Sequence, residues 1–416
     1  MHNDIIKYET KVITLLNHGM KFKDFCIKEI KRIIQETFSF SNNYNIDVYG
    51  SYATGLMIEA SDIDIKIKLN NGDKSNLDNL FETLCKKLEN ENKFDTINPI
   101  STASVPVIKL LLNPEKFIKG KVELENSFKQ YKELSLFKHY IFDTNELTKF
   151  KIDVTFILSN NNKNNNLNNE TMENNSENNN NNINNVNNID AVQDNDKSIG
   201  CEMSSVVYVK EQIIKYPEVK FILRVLKRYF YFKKMNNSFL GGLSSYNLFL
   251  LLLSYAKFLH ISPNPDSEII ENNNNNNKTN TNLGYFLFNF LYFFKCLNFN
   301  QCIIDINSPN IYDIYDIVIP EKAKEYNFGK SIVIIDPLTG VNASKSSYKI
   351  EEIQLTFSEA FDFFQNEKIK YDKEGKTKVS KNNNNKDIVM GLSISNKNDN
   401  NHGGGGVNII EKFLGK

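Results

Sequence analysis

Two aspartates set two residues apart inside an alternating apolar run are the first chemistry the sequence offers. Ser61-Asp62-Ile63-Asp64-Ile65-Lys66-Ile67 has the period of a strand, and on a strand residues i and i+2 point to one face. Asp62 and Asp64 therefore aim both carboxylates at one spot, while the isoleucines between them face the other way. A third acid recurs in the same setting, in Lys151-Ile152-Asp153-Val154-Thr155-Phe156. If the two strands are neighbours, three carboxylates converge. Anions about 4 Å apart repel by about 1 kcal/mol per pair in water and about 4 kcal/mol at an effective dielectric of 20. A core holds such a trio only with a compensating cation. Mg²⁺ takes oxygen ligands, and two such ions suit an in-line attack on a phosphate. The competing readings are a solvated strand face for Asp62 and Asp64, and an edge position for Asp153.

Gly50-Ser51 lies upstream, between a strand-like run at 46–49 and a short helix at 51–57. Backbone N–H groups at a helix N-terminus receive anions, and glycine lets a phosphate come close. The pair means little alone; its distance to Asp62 gives it weight. Further on, Lys220, Arg224, Lys227 and Arg228 fall at i, i+4, i+7 and i+8 of a helix opened by Pro217. That basic stripe reads either as a phosphate contact or as a solvated face. Ser244 is a good N-cap type for the helix that follows, with Ser245 and Tyr246 in its first turn. The plain reading there is a cap followed by a core tyrosine.

The string Gly50-Ser51-Tyr52-Ala53-Thr54-Gly55-Leu56, with Ser61-Asp62-Ile63-Asp64, resembles the DNA polymerase β nucleotidyltransferase superfamily. More closely it resembles the noncanonical poly(A) polymerases and terminal uridylyltransferases. Four further segments resemble family motifs in the expected order. They are Val105-Pro106-Val107-Ile108-Lys109, the strand around Asp153, Gly241-Gly242-Leu243-Ser244-Ser245-Tyr246, and Ile335-Asp336-Pro337-Leu338 running to Ser346-Ser347-Tyr348, similar to the PAP-associated segment. The resemblance implies template-independent addition of AMP from ATP to an RNA 3′ end. It implies that Asp62 and Asp64 hold two Mg²⁺ ions (Mn²⁺ being the alternative), and that Asp153 completes the first metal site and helps deprotonate the 3′-hydroxyl. Gly50, Ser51, Lys227 and Ser245 would contact the phosphates, Ser205 the ribose and Tyr246 the base. Asn342, in the stretch after Asp336-Pro337, joins the implied nucleotide contacts. Relatives that prefer UTP carry a histidine shortly after the Asp-Pro; residues 337–345 contain none, which resembles the adenylating branch. The alternatives are a terminal uridylyltransferase using UTP and a catalytically inactive scaffold.

The chain departs from the family in three places. Tyr231 stands where some relatives have a second phosphate-binding lysine. The loop after Asp336-Pro337 is one residue shorter than in relatives. An insertion at 113–149 mixes Lys116, Lys119, Lys121, Lys129, Lys132 and Lys138 with Phe117, Phe128, Tyr131 and Phe137. Such a mixture could stack on and neutralise single-stranded RNA; it also fits an ordinary amphipathic insertion. No RNA-recognition motif, zinc knuckle or basic arm accompanies the catalytic unit. The resemblance therefore implies a separate zinc-knuckle RNA-binding subunit and a helicase, as in TRAMP-type assemblies.

The elements that must carry these residues follow from periodicity. Two helices are expected in 5–37, broken near His18-Gly19. Strands are expected at 46–49, 63–69, 105–112 and 150–158, and an amphipathic helix at 77–89. Helical patterns cover 203–214, 217–234, 245–260 and 283–297, with a strand-like run at 332–335 and a last helix at 351–366. The fold class is α+β, a polymerase β-like nucleotidyltransferase domain with a mixed sheet plus a mainly helical domain. The boundaries read as N-terminal helices packing on the helical domain (1–37), a catalytic domain (38–158), an Asn-rich disordered insertion (159–197), the helical domain with the PAP-associated segment (198–368, loop 271–282 disordered), and a disordered tail (369–416). The Asn tracts lack the apolar residues to bury a core.

Bulk properties are less informative. The 416 residues hold 50 Lys+Arg against 50 Asp+Glu, so any nucleic-acid surface must be a local patch. Five scattered cysteines without a CxxC pair and five dispersed histidines suggest a reducing compartment and give no zinc site. The start lacks the basic and apolar pattern of a signal peptide. The greasiest runs, 248–255 and 286–294, fall short of the roughly 20 residues a membrane span needs. A nuclear or cytoplasmic protein without membrane contact is expected.

Overall fold

The computed structural model describes residues 1–39, 43–70, 74–103, 105–133, 150–158, 204–261, 281–307, 311–313, 326, 329–379 and 408–415. A single 36-residue helix, α1 (His2–Thr37), opens the chain. The break expected at His18-Gly19 is absent. Glycine inside a helix costs about 1 kcal/mol relative to alanine, but each apolar side chain that α1 buries returns about 1.5–3 kcal/mol. Its stripe serves two cores. Ile5, Tyr8, Val12 and Leu16 enter the core of the helical half. Leu15, Phe22, Cys26, Ile30 and Ile34 enter the core under the sheet. The N-terminal segment thus spans both halves of the molecule and does not belong to the helical one alone.

The half that carries the three aspartates is built on a five-stranded mixed sheet: β1 (Tyr44–Tyr49), β2 (Ile63–Leu69), β3 (Phe94–Ile100), β4 (Val107–Leu112) and β5 (Phe150–Leu158), in the order β1-β2-β5-β4-β3. The β2 and β5 strands run parallel at the centre, and the other pairs are antiparallel. Strict alternation buries Ile63, Ile65, Ile67 and Leu69 against Ile152, Val154 and Phe156. Two helices, α2 (Gly50–Thr54) and α3 (Lys74–Asn90), complete this layer. The insertion supplies α4 (Pro114–Ile118) and α5 (Val122–Glu133). Two of its aromatic residues turn inward: Phe128 meets Phe22 at 5.2 Å and Phe117 meets Phe94 at 5.4 Å. Phe117 and Phe128 are therefore core and present no stacking platform for RNA. The side chains of Tyr131 and Lys132, and Phe137 and Lys138 beyond them, lie outside the described residues.

The helical half contains α6 (Ser205–Lys215), α7 (Pro217–Phe232), α8 (Ser245–Ile261), α9 (Leu283–Cys296) and α10 (Ile350–Val379). A small sheet, β6 (Cys302–Asp305), β7 (Ile311–Asp313) and β8 (Val333–Ile335), has the order β7-β6-β8. The tail expected to be disordered from 369 onward is partly ordered. The α10 helix continues to Val379, and a last helix, α11 (Ile409–Leu414), buries Ile410, Phe413 and Leu414. Phe413 stacks on Tyr229 at 4.3 Å, so α11 closes the core formed by α1, α7 and α10. The Asn tracts at 159–197 and 271–277 fall outside the described residues. Among the described residues no helix is long and apolar enough to cross a membrane.

Candidate active site

The parallel register of β2 and β5 sets Asp64 directly opposite Asp153, and Asp62 stands one residue before β2 begins. Adjacent strands of one sheet thus present the three acids on a common face. Burial, then the charges of Asp153 and Asp62, push the Asp64 carboxyl up to about 7. Burial and Asp153 raise Asp62 as well. The β4 strand brings Lys109 opposite Asp153 on its other side, and the half-exposed Lys109 ammonium donates to Asp153 Oδ2. Among the described residues no three His, Cys, Asp or Glu side chains are drawn together as a ready ligand shell, and Lys109 takes up one oxygen of the trio. The donor set is nonetheless that of a hard divalent cation. Burial first, and a neighbouring carboxylate second, oppose the ionisation of Asp62 and Asp64, and a bound cation would relieve both.

Gly50 begins α2 with φ +66°, and a Cβ there would overlap Asp64 Oδ2 and stand 2.9 Å from Asp64 Cγ. The helix N-terminus is therefore pressed onto the carboxylate, and glycine is the residue whose backbone and volume permit it. Ser51 follows in the first turn of α2. Thr155 ties the strands beneath the site, its Oγ1 lying 3.2 Å from the Tyr49 hydroxyl and donating to Ile65 O at 3.3 Å.

Three of the four cations of the α7 stripe are not solvated, and Lys220 is half-buried. Arg224, Lys227 and Arg228 are at most 5% exposed. Arg224 pairs with Glu9 of α1 and donates to the carbonyls of Gly55 and, at 3.2 Å, Met57. Arg228 pairs with Glu59 at 2.6 Å. Lys227 Nζ donates to Leu56 O at 2.9 Å and lies 3.5 Å from Ser61 Oγ; burial and the nearby Arg224 draw its pKa down to about 8. Lys227 is thus behind the Gly55–Ser61 loop, close to the carboxylates but engaged with backbone. Glu9 and Glu59 carried no local signal in the sequence, because their partners come from another helix.

The remaining contacts divide. Ser244 Oγ accepts from Asn247 N at 3.1 Å, as an N-cap should, which leaves Ser245 exposed in the first turn of α8. Tyr246 is half-buried with its ring stacked on Phe249, and burial together with Asp336 raises its hydroxyl pKa. Ser205 is exposed at the start of α6, where Ser204 caps the helix. Asn342 needs correction as a nucleotide contact. Its amide nitrogen donates to the carbonyls of Tyr326 at 2.8 Å and Ile332 at 3.1 Å, and its oxygen accepts from Ile334 N, Ser344 N and Ser344 Oγ. Every polar atom of that buried side chain is occupied in bracing β8.

Comparison with known proteins agrees with this geometry. Residues 4–119 match the family described as the central palm domain of mitochondrial-like poly(A) RNA polymerase. "Poly(A) RNA polymerase protein 1" of Saccharomyces cerevisiae is 22% identical over 367 residues, 87% of this chain and 43% of that protein. Its namesake in Eremothecium gossypii is 21% identical over 339 residues, 81% of this chain and 41% of that protein. The chain thus spans less than half the length of these relatives. Among solved structures, the polymerase core of TRAMP, an RNA surveillance complex, superposes with a TM-score of 0.53 at 19% identity, covering 83% of this chain and 80% of that one. A structure of the Cid1 poly(U) polymerase gives 0.51 at 14% identity, covering 88% and 95%. These likenesses establish the shared fold.

Proposed function

We propose that this chain, a member of the noncanonical poly(A) polymerase family of nucleotidyltransferases, adds AMP from ATP to RNA 3′ ends without a template. The observation that carries the reading is the register that sets Asp64 against Asp153 with Gly50 closed over Asp64. Asp62, Asp64 and Asp153 would hold Mg²⁺ or Mn²⁺, whose chemistry is to polarise the phosphate and neutralise developing charge. The chain's own groups orient the reactants. Gly50 and Ser51 N–H groups receive the triphosphate, with Ser205, Lys227, Ser245 and Tyr246 as further nucleotide contacts. The 3′-oxygen attacks the α-phosphorus, its proton passes toward Asp153, the bond to the β-phosphate oxygen breaks, and pyrophosphate leaves.

Adenylation is favoured over uridylation because residues 337–345 contain no histidine and the yeast-type relatives carry poly(A) polymerase names. With Phe117 and Phe128 buried, RNA is better delivered by a separate zinc-knuckle subunit with a helicase, in an assembly like the one the TRAMP core belongs to, in the nucleus or cytoplasm. The test offers each of the four nucleotides with a short single-stranded RNA. Stepwise extension with ATP, lost in Asp62→Ala, is expected. No extension with any nucleotide under Mg²⁺ or Mn²⁺ would end the reading, and preference for UTP would move it to the uridylyltransferases.

A further inference from the structure

The loop from Gly55 to Ser61 is the covalent link between the phosphate cradle and the first catalytic carboxylate. Its far end holds itself: Ile58 N donates to Ser61 Oγ at 2.9 Å and Ser61 N to Ile58 O at 3.0 Å. Its near end depends on α7. Three successive carbonyls, those of Gly55, Leu56 and Met57, accept from Arg224, Lys227 and Arg224 in turn. Glu59, the one acid between Gly55 and Ser61, pairs with Arg228. With the 3.5 Å contact from Lys227 Nζ to Ser61 Oγ, one face of a helix from the other half of the molecule thus grips the link at five points. The Glu9 carboxylate of α1 locks Arg224 from behind.

Stability is a poor explanation for this arrangement. Burying three cations carries a large desolvation cost that good hydrogen bonds only offset. Apolar residues of similar volume would serve a core as well or better. What the charges add is direction. A guanidinium with fixed donors sets the carbonyls of residues 55 and 57, and so sets where Asp62 stands relative to Gly50.

We propose that Arg224 is a positioning residue for nucleotidyl transfer, holding the cradle-to-carboxylate link in the spacing that the reaction needs. This rests on the transferase reading above. Arg224 touches no reacting atom; it acts through the Gly55 and Met57 carbonyls. Glu9 serves it by fixing its orientation.

Three variants test the idea: Arg224→Met, Arg224→Lys, and the double variant Glu9→Leu/Arg224→Met, which removes both buried charges and so keeps the fold if the single variant loses it. Amide hydrogen exchange in the nucleotide-free protein is read first. Residues 55–61 should exchange about tenfold faster or more in Arg224→Met and in the double variant, with β2 and β5 unchanged. In RNA extension, kcat should fall by about tenfold or more while KM for ATP moves by about threefold or less, and Arg224→Lys should recover part of the loss. A role in stability alone predicts faster exchange throughout, or a double variant that melts like the wild type with kcat intact. Unchanged exchange at 55–61 in a folded variant, or wild-type kcat in the double variant, overturns the proposal. If the wild type extends RNA with no nucleotide, the transferase reading fails separately, and the exchange result still decides whether Arg224 holds the link.

Discussion

Gly50→Ala and Gly55→Ala should separate backbone strain from chemistry. Both glycines are left-handed, at φ +66° and +72°, so alanine at either position meets a similar backbone penalty, roughly 1–2 kcal/mol. Each should therefore lower the melting temperature by a few degrees, at about 2–4 °C per kcal/mol for a domain of 150–250 residues. The surroundings differ. A Cβ on Gly55 meets nothing within 4 Å, whereas one on Gly50 overlaps Asp64 Oδ2 and lies 2.9 Å from Asp64 Cγ. Ordinary contact needs about 3.5–4.0 Å, so the Asp64 carboxylate must retreat by roughly 1 Å. A displacement of that size at a reacting centre costs about 10²-fold in rate. The assay is RNA extension with ATP beside thermal melting of both variants. Gly50→Ala is expected to melt at or below Gly55→Ala, because its overlap adds to the shared backbone penalty, with extension reduced about a hundredfold in Gly50→Ala and little changed in Gly55→Ala. If the two variants lose activity equally, or Gly50→Ala keeps most of it, the close approach of cradle and carboxylate is not what the site uses.

Lys109→Met removes the ammonium bound to Asp153, so Mn²⁺ titrated into the nucleotide-free protein should bind about tenfold tighter or more, freed of a competing charge; unchanged or weaker binding contradicts this. Lys23 is buried, its Nζ without a hydrogen-bond partner among the described residues, and burial lowers its pKa from 10.5 to about 8. The unfolded chain holds that proton up to about pH 10.5 and the folded one only to about 8, so the penalty is complete below pH 8 and fades as pH rises to 10.5. Lys23→Met should accordingly stabilise the protein at pH 7, by on the order of 3 kcal/mol, with a gain that shrinks by pH 10; a variant less stable at pH 7 would show that the ammonium is compensated. Phe413→Ala removes the ring that meets Tyr229, Phe363 and Phe364 and should destabilise by about 3–5 kcal/mol in denaturant melts; a neutral result would mean that α11 does not dock in solution.

Legibility in the sequence followed the range of the interactions involved. The β2 and β5 strands were readable to their ends because a central strand must alternate, and Asp62, Asp64 and Asp153 announced themselves by breaking an apolar run from within. The β3 strand was not, since Asp95, Asn98 and Pro99 spoil the pattern of an edge strand that β4 nevertheless holds by its ladder. Gly19 looked like a helix break because local propensity has no knowledge of two cores waiting on either side of α1. The six residues of α11 are too few to show a period, and only their docking on α1, α7 and α10 makes them a helix worth keeping. Asn342 shows the same limit at atomic scale: a polar residue beside an implied nucleotide pocket, whose direction is decided by the outer edge of β8, where its oxygen accepts from Ile334 N. The basic stripe is the sharpest case. Spacing alone identified the face of α7 that carries Arg224, Lys227 and Arg228, and spacing alone could not say whether that face met water or protein. The answer lay in Glu9 and Glu59, each unremarkable in its own neighbourhood. Residues that react can be found by their local pattern, because chemistry needs them close together. Residues that position them are chosen by partners far away in the chain, and become visible only when the two halves are docked.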